Sequence, residues 1–189
     1  MQIIAGTARS IILTVPKGLA VRPTSVRARK ALFDSLGSLS GLKVVDFFAG
    51  SGALGLEAAS RGASEVAFVE NARLHCQVIE GNIAKVIKAG ASESLKVTCS
   101  NVAGCFFPAL MKNPDIIFAD PPYEISVEIF TQLTADKNFI TWAAGALLVW
   151  EIPDETGSAG KFLEVFRNGR IRKFGGTEFL IAKIPELQN

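Results

Sequence analysis

Apolar, β-branched runs alternate with stretches of helical periodicity along the middle of this chain, and that alternation restricts its fold more than any other feature. "LKVVDFF" reads as a buried strand and "ALGLEAASRG" as the helix after it, with Gly62 as its stop. "SEVAFVE" is a second strand. The next segment, "NARLHCQVIEGNIAKVIKAG", carries Leu74, Val78, Ile79, Ile83, Val86 and Ile87 at helical spacing, with Asn71 as N-cap and Gly90 at the end. "LKVTCS", "PDIIFAD" and "GALLVWEI" supply a third, fourth and fifth strand. Repeated βαβ units of this kind predict a mostly parallel sheet. "KFLEVFRNGR" and "GTEFLIAKI" read as closing antiparallel strands.

The first 40 residues differ in kind. "QIIAG" and "SIILTVP" are placed to pair as a hairpin across Thr7, Ala8 and Arg9; a loop with Gly18 and Pro23 follows, then a helix that Ser25 caps. Residues 1–40 are therefore read as an extension and residues 41–189 as the main domain. At 189 residues, 49 % apolar and 20 % charged, the chain has material for one sizeable core. No apolar run approaches the ~18–20 residues that span a bilayer, and the N-terminus lacks the pattern of a secretion signal. The three cysteines, Cys76, Cys99 and Cys105, have no C-x-x-C spacing and are read as reduced thiols of a cytoplasmic protein, not as metal ligands. His75, the sole histidine, is read as a surface residue.

Between the first strand and its helix stands Gly50-Ser51-Gly52-Ala53-Leu54-Gly55, a G-x-G-x-x-G turn. Such a turn exposes backbone amides at a helix N-terminus, and an acid ending the second strand, here Glu70, takes the hydroxyls of a ribose. An NAD(P)-dependent oxidoreductase and a protein binding S-adenosylmethionine (SAM) both fit this much. Asp46, four residues before Gly50, tips the balance: its charge repels a pyrophosphate, whereas SAM carries an ammonium and a sulfonium. A second motif follows the fourth strand. Asp120-Pro121-Pro122-Tyr123 is a stiff loop that presents oxygens, not amides, beside the chain's only tyrosine. Two acceptors suit an exocyclic amino group with two N–H donors, and a flat ring suits a base.

Asp/Asn-Pro-Pro-Tyr/Phe resembles the signature of SAM-dependent methyltransferases that act on exocyclic amino groups. "RPTSVRARKALFDSL", "DFFAGSGALGLEAASRGA", "FVE", "DIIFADPPY" and "KFGGTEFLIAKI" resemble, in order and over nearly the whole chain, the RsmD-type 16S rRNA guanine-N2 methyltransferases. The resemblance implies an α/β, Rossmann-like class I methyltransferase fold: a seven-stranded, mostly parallel sheet with an antiparallel final strand and a small N-terminal extension. It also implies SAM as methyl donor and a guanosine in small-subunit rRNA as target. Three positions depart from the family pattern. Asn101 stands where Asp is usual, Lys30 where Glu is usual and Phe47 where Leu is usual.

On this reading Asp120 and the Pro121 carbonyl take the amino protons, Pro122 stiffens the loop and Tyr123 stacks on the extruded base. Asp46 and the turn of Phe48, Ala49, Gly50, Ser51 and Gly52 meet the methionine end of the cofactor. Glu70 meets the ribose, and Asn101 with the Val102 backbone meets the adenine. Net charge is only +2, but residues 1–30 hold no acid, and Arg9, Arg22, Arg27, Arg29 and Lys30 are the candidates for gripping rRNA phosphates. A second basic run holds Arg167, Arg170, Arg172 and Lys173. The expected partner is 16S rRNA or the assembling small subunit, with the protein a cytoplasmic monomer free of metal. The rival readings are an adenine-N6 methyltransferase on DNA or RNA, the NAD(P) enzyme above, and a non-catalytic RNA-binding module.

Overall fold

A computed structural model describes residues 1–16, 25–92, 94–153 and 158–186. Seven strands, β1 (Lys43–Phe47), β2 (Glu65–Glu70), β3 (Leu95–Cys99), β4 (Ile116–Ala119), β5 (Leu147–Ile152), β6 (Arg170–Phe174) and β7 (Thr177–Lys183), form one sheet in the order β3-β2-β1-β4-β5-β7-β6. β1 to β5 pair in parallel, and β7 runs antiparallel to both β5 and β6. This is the Rossmann-like arrangement expected. Strand order reverses between β1 and β4, which opens a crevice at their carboxyl ends.

Alternation along the central strands splits the interior in two. Val45, Phe47, Ile117, Ala119, Leu148 and Trp150 face one side, covered by α4 (Tyr123–Ala135), α5 (Lys137–Trp142) and α6 (Ser158–Val165). Val44, Val66, Phe68, Ile116, Phe118 and Val149 face the other, covered by α1 (Val26–Leu36), α2 (Ala53–Ser60) and α3 (Arg73–Lys88). Among the described residues no helix is long and apolar enough to cross a membrane.

Three local expectations are corrected. The segment "KFLEV" belongs to α6, not to a strand, because Phe162 and Phe166, four residues apart, both pack on Phe130 of α4. Asn71 does not cap α3: the N-cap is Ala72, whose amide donates to Glu70 Oε1 at 2.9 Å. The N-terminal hairpin reduces to a single bridge, Gln2 to Ile12, with Ile3 and Ile11 also hydrogen-bonded. Ser25 does cap α1, accepting from the Ala28 amide at 3.1 Å. The loop residues Gly18 and Pro23 lie outside the described residues.

The N-terminal segment is held against the main sheet by buried polar groups. Glu57 of α2, wholly buried, accepts the amides of Ile4 and Ala5 and the Arg61 guanidinium. Ser60 Oγ accepts from the Ala8 amide, and its carbonyl accepts from the Thr7 amide. Asn82 of α3, also wholly buried, bonds the Thr14 backbone twice and donates to the Ser51 carbonyl at 3.0 Å. Ile3, Ala8 and Leu13 are buried in the same core as α1 and α2. The glycine turn is thereby braced from the N-terminal side.

Candidate active site

β1 delivers its chain into the glycine turn through a left-handed Phe48, φ 58°, an uncommon conformation for a bulky residue. Gly50 and Gly52 follow at φ 55° and 76°, where a side chain would be strained. Gly55 serves a different purpose. A Cβ there would stand 2.4 Å from Phe68 Cε1, so this glycine lets α2 lie against β2.

The turn's amides are already partly engaged, by carboxylates. Glu70 Oε2 accepts from the Gly50 amide at 2.9 Å, while its Oε1 takes the Ala72 amide and stands 3.4 Å from His75 Nδ1. Asp46 Oδ2 accepts from the Gly55 amide in the first turn of α2 at 2.8 Å. Asp46 is 2 % exposed; burial pushes its carboxyl up to about 7, the Gly55 hydrogen bond pulls it down, and the charge of Glu70 pushes it up further. Both acids occupy amides that a pyrophosphate would need, and the charge of Glu70 repels an anion and attracts a cation.

These groups open onto one cavity of about 580 Å³ at the carboxyl edge of the sheet, a size that takes a nucleoside-sized ligand. Asp46, Phe48, Ala49, Gly50, Ser51 and Glu70 line it from one side; Asn101 and Val102, after β3, extend it. Gly52 lies behind this wall, buried against Leu56, Ile79 and Phe68. Asn101 caps a short 3₁₀ turn, accepting from the Ala103 amide at 3.0 Å. Asp120, Pro121, Pro122 and Tyr123 close the cavity from the β4 side. Pro122 is the N-cap of α4, and Tyr123 begins that helix with 40 % of its surface exposed, enough to offer a ring face.

The basic candidates separate. Arg9, Arg27 and Lys30 are exposed, and Lys30 pairs with Asp34 at 2.5 Å. Arg22 lies outside the described residues. Arg29 is not on that surface: it is 1 % exposed, donates to the Gln2 carbonyl at 2.5 Å and touches the cavity wall. Burial lowers its affinity for the proton, nearby Glu57 offsets part of that, and Arg61 adds to it. Arg170, Arg172 and Lys173 are exposed on β6, the edge strand, which packs beside α1. The two basic runs therefore adjoin. His75 is half-buried on the cavity wall, not on the open surface.

Glu151 of β5 lines the same cavity and was not singled out from the sequence. It is 3 % exposed, and its Oε1 accepts from the Tyr123 hydroxyl at 3.0 Å. The available signal was an acid inside the run "ALLVWEI", every other residue of which is apolar.

Comparison with known proteins agrees with this arrangement. The sequence model of the family described as Conserved hypothetical protein 95 matches residues 1–183. The chain is 39 % identical, over 153 residues, to Ribosomal RNA small subunit methyltransferase D of Escherichia coli (strain K12); the match covers 79 % of this chain and 73 % of that one. The protein of the same name from Haemophilus influenzae is 30 % identical over 142 residues, 74 % of this chain and 73 % of that one. A solved structure of a hypothetical protein from Thermus thermophilus superposes with a TM-score of 0.75 at 31 % identity, covering 97 % of this chain and 99 % of that one.

Proposed function

The chain belongs to the Conserved hypothetical protein 95 family, that of ribosomal RNA small subunit methyltransferase D, and from that premise we propose that it methylates the exocyclic N2 of a guanosine in 16S rRNA with SAM as donor. The observation that carries this reading is the meeting of the Asp46–Glu70 turn and the Asp120–Tyr123 loop on one cavity. Each loop alone is a common turn; facing each other, they offer a cation-favouring cradle beside an amine-accepting one.

SAM fits the cradle by charge and by size, and when bound it supplies a methyl group on a sulfonium, already an activated leaving centre. Asp46 and the Phe48–Ser51 turn would hold its methionine end, Glu70 its ribose, and Asn101 with Val102 its adenine. Everything else falls to the protein's own groups. The guanine N2 lone pair is delocalised into the ring and is a poor nucleophile. Asp120 and the Pro121 carbonyl, accepting its two protons, turn that lone pair toward the donor and stabilise the positive charge that develops on nitrogen. With SAM bound, its methyl group would pass from sulfur to N2, and Asp120 would receive the proton that N2 then loses. Tyr123 holds the extruded base by stacking. Exposed Arg9 and Arg27, with the adjoining cations of β6, provide a surface for the rRNA backbone.

Incubation with radiolabelled SAM and free rRNA, assembled small subunits or DNA, followed by nucleoside analysis, tests the proposal. The expected product is N2-methylguanosine from small-subunit RNA. Asp120→Ala is expected to abolish turnover and leave SAM binding nearly intact; turnover at the wild-type rate by that variant refutes the assignment.

A further inference from the structure

Glu151 is a carboxylate that the chemistry above leaves unused. β4 and β5 are paired with Ala119 opposite Trp150. One residue further along, Asp120 and Glu151 therefore stand at the same level on neighbouring strand ends, and both line the cavity. Glu151 also holds the hydroxyl of Tyr123, the ring assigned to stacking.

Building on the guanine-N2 reading, we propose that Glu151 identifies the base by accepting the guanine N1–H while Asp120 accepts from the adjoining N2 amino group. Guanine's pairing edge carries two neighbouring donors, N1–H and N2–H₂. A pair of side-by-side carboxylates is complementary to that run. Adenine presents an amino donor beside an unprotonated N1, whose lone pair would face a carboxylate lone pair at Glu151. Selection then works by attraction to the correct base and repulsion of the wrong one. The hydroxyl bond from Tyr123 to Glu151 couples the plane in which the base stacks to the edge along which it is read. Enzymes that extrude a base read it in this way, along its pairing edge and between flat side chains.

The test uses 2-aminopurine, which keeps the C2 amino group and lacks N1–H. After the methylated nucleotide has been mapped on small-subunit rRNA, guanosine or 2-aminopurine riboside is installed there by splinted ligation, and kcat/KM is measured on both. Wild-type protein is expected to prefer guanosine by about 10- to 100-fold, the worth of one hydrogen bond to a charged group. Glu151→Gln places an amide donor before N1 and is expected to bring the ratio to near one or below it. Tyr123→Phe, which removes the hydroxyl and keeps the carboxylate, is expected to retain the preference. The ratio on one preparation does not depend on how much of a variant is folded. A wild-type ratio near one overturns the proposal, and so does an unchanged ratio in Glu151→Gln. If Tyr123→Phe collapses the ratio as fully as Glu151→Gln does, Glu151 acts only through Tyr123 and the direct contact is refuted. Label found on guanosine N2 with either result leaves the function standing and removes only the role of Glu151. Label found on adenosine, or on no nucleoside, removes both.

Discussion

Asp46 makes the stability of this protein depend on pH in a direction opposite to that of most carboxylates. Its carboxyl is held by burial at about 7, against an ordinary value of 3.8. Between those two values the folded chain keeps a proton that the unfolded chain has lost. Stability from this group is therefore fully present below pH 4, falls as pH rises through the window, and is level again above pH 7. A difference of about three pH units at 1.36 kcal/mol per unit sets an upper bound of about 4 kcal/mol on the loss. Asp46→Asn is nearly isosteric, keeps an oxygen for the Gly55 amide, and does not titrate. The gap in stability between variant and wild type is expected to open in the variant's favour from pH 4 to pH 8 by up to that amount. For a chain of this size, 1 kcal/mol moves Tm by about 2–4 °C, so the gap in Tm widens by up to about 16 °C. Thermal melts of both proteins across the range give the result directly. A gap that stays constant from pH 4 to pH 8 would show that Asp46 is ionised in the fold at ordinary pH, and the burial argument would fail.

Gly55→Ala sets a methyl group 2.4 Å from the Phe68 ring and is expected to cost about 1–3 kcal/mol in urea unfolding, with recovery on adding Phe68→Leu; full stability in the single variant would mean that α2 can lift from β2 freely. Arg9→Gln and Arg27→Gln should each flatten the salt dependence of binding to rRNA by about 0.7 to 0.9 in log–log slope, read by filter binding. Arg29→Gln should leave that slope unchanged and lower Tm instead, because Arg29 is buried against Gln2. The opposite pattern would place Arg29 on the RNA.

The sequence carried the frame because the frame is periodic. Five central strands and the helices after the first two announce themselves as local runs, and the two loops that face the cavity are stiff, distinctive turns. Long-range docking left less trace. Arg29 reads as one more cation in "RARK", yet it shares a helical stripe with buried Leu32 and Phe33 at the i+3 and i+4 positions, which marks it as inward-facing. Its burial follows from the N-terminal segment folding over α2, a contact between residues more than 50 apart. Asn71 does not take the expected capping role because the helix begins one residue later, with Ala72 as N-cap and no side chain accepting from its first turn. Phe162 and Phe166 carried a helical spacing that the surrounding apolar run disguised as a strand.

The glycine turn itself shows what a motif can and cannot specify. Its glycines fix the path of the backbone: two accept left-handed angles and the third permits close packing. None of that selects a ligand. On the proposed reading, selection comes from Asp46, four residues upstream, and from Glu70, on the next strand, which together occupy the Gly50 and Gly55 amides that a pyrophosphate would need. With those amides engaged by side chains, the turn no longer offers them to an anion, and the charge of Glu70 disfavours one further. A pyrophosphate would have to displace both side chains to reach those amides, whereas on the proposed reading a cationic ligand meets the Glu70 carboxylate as a counter-charge and favours loss of the proton from Asp46. On that reading, the residues that decide which ligand the six-residue pattern takes lie outside it.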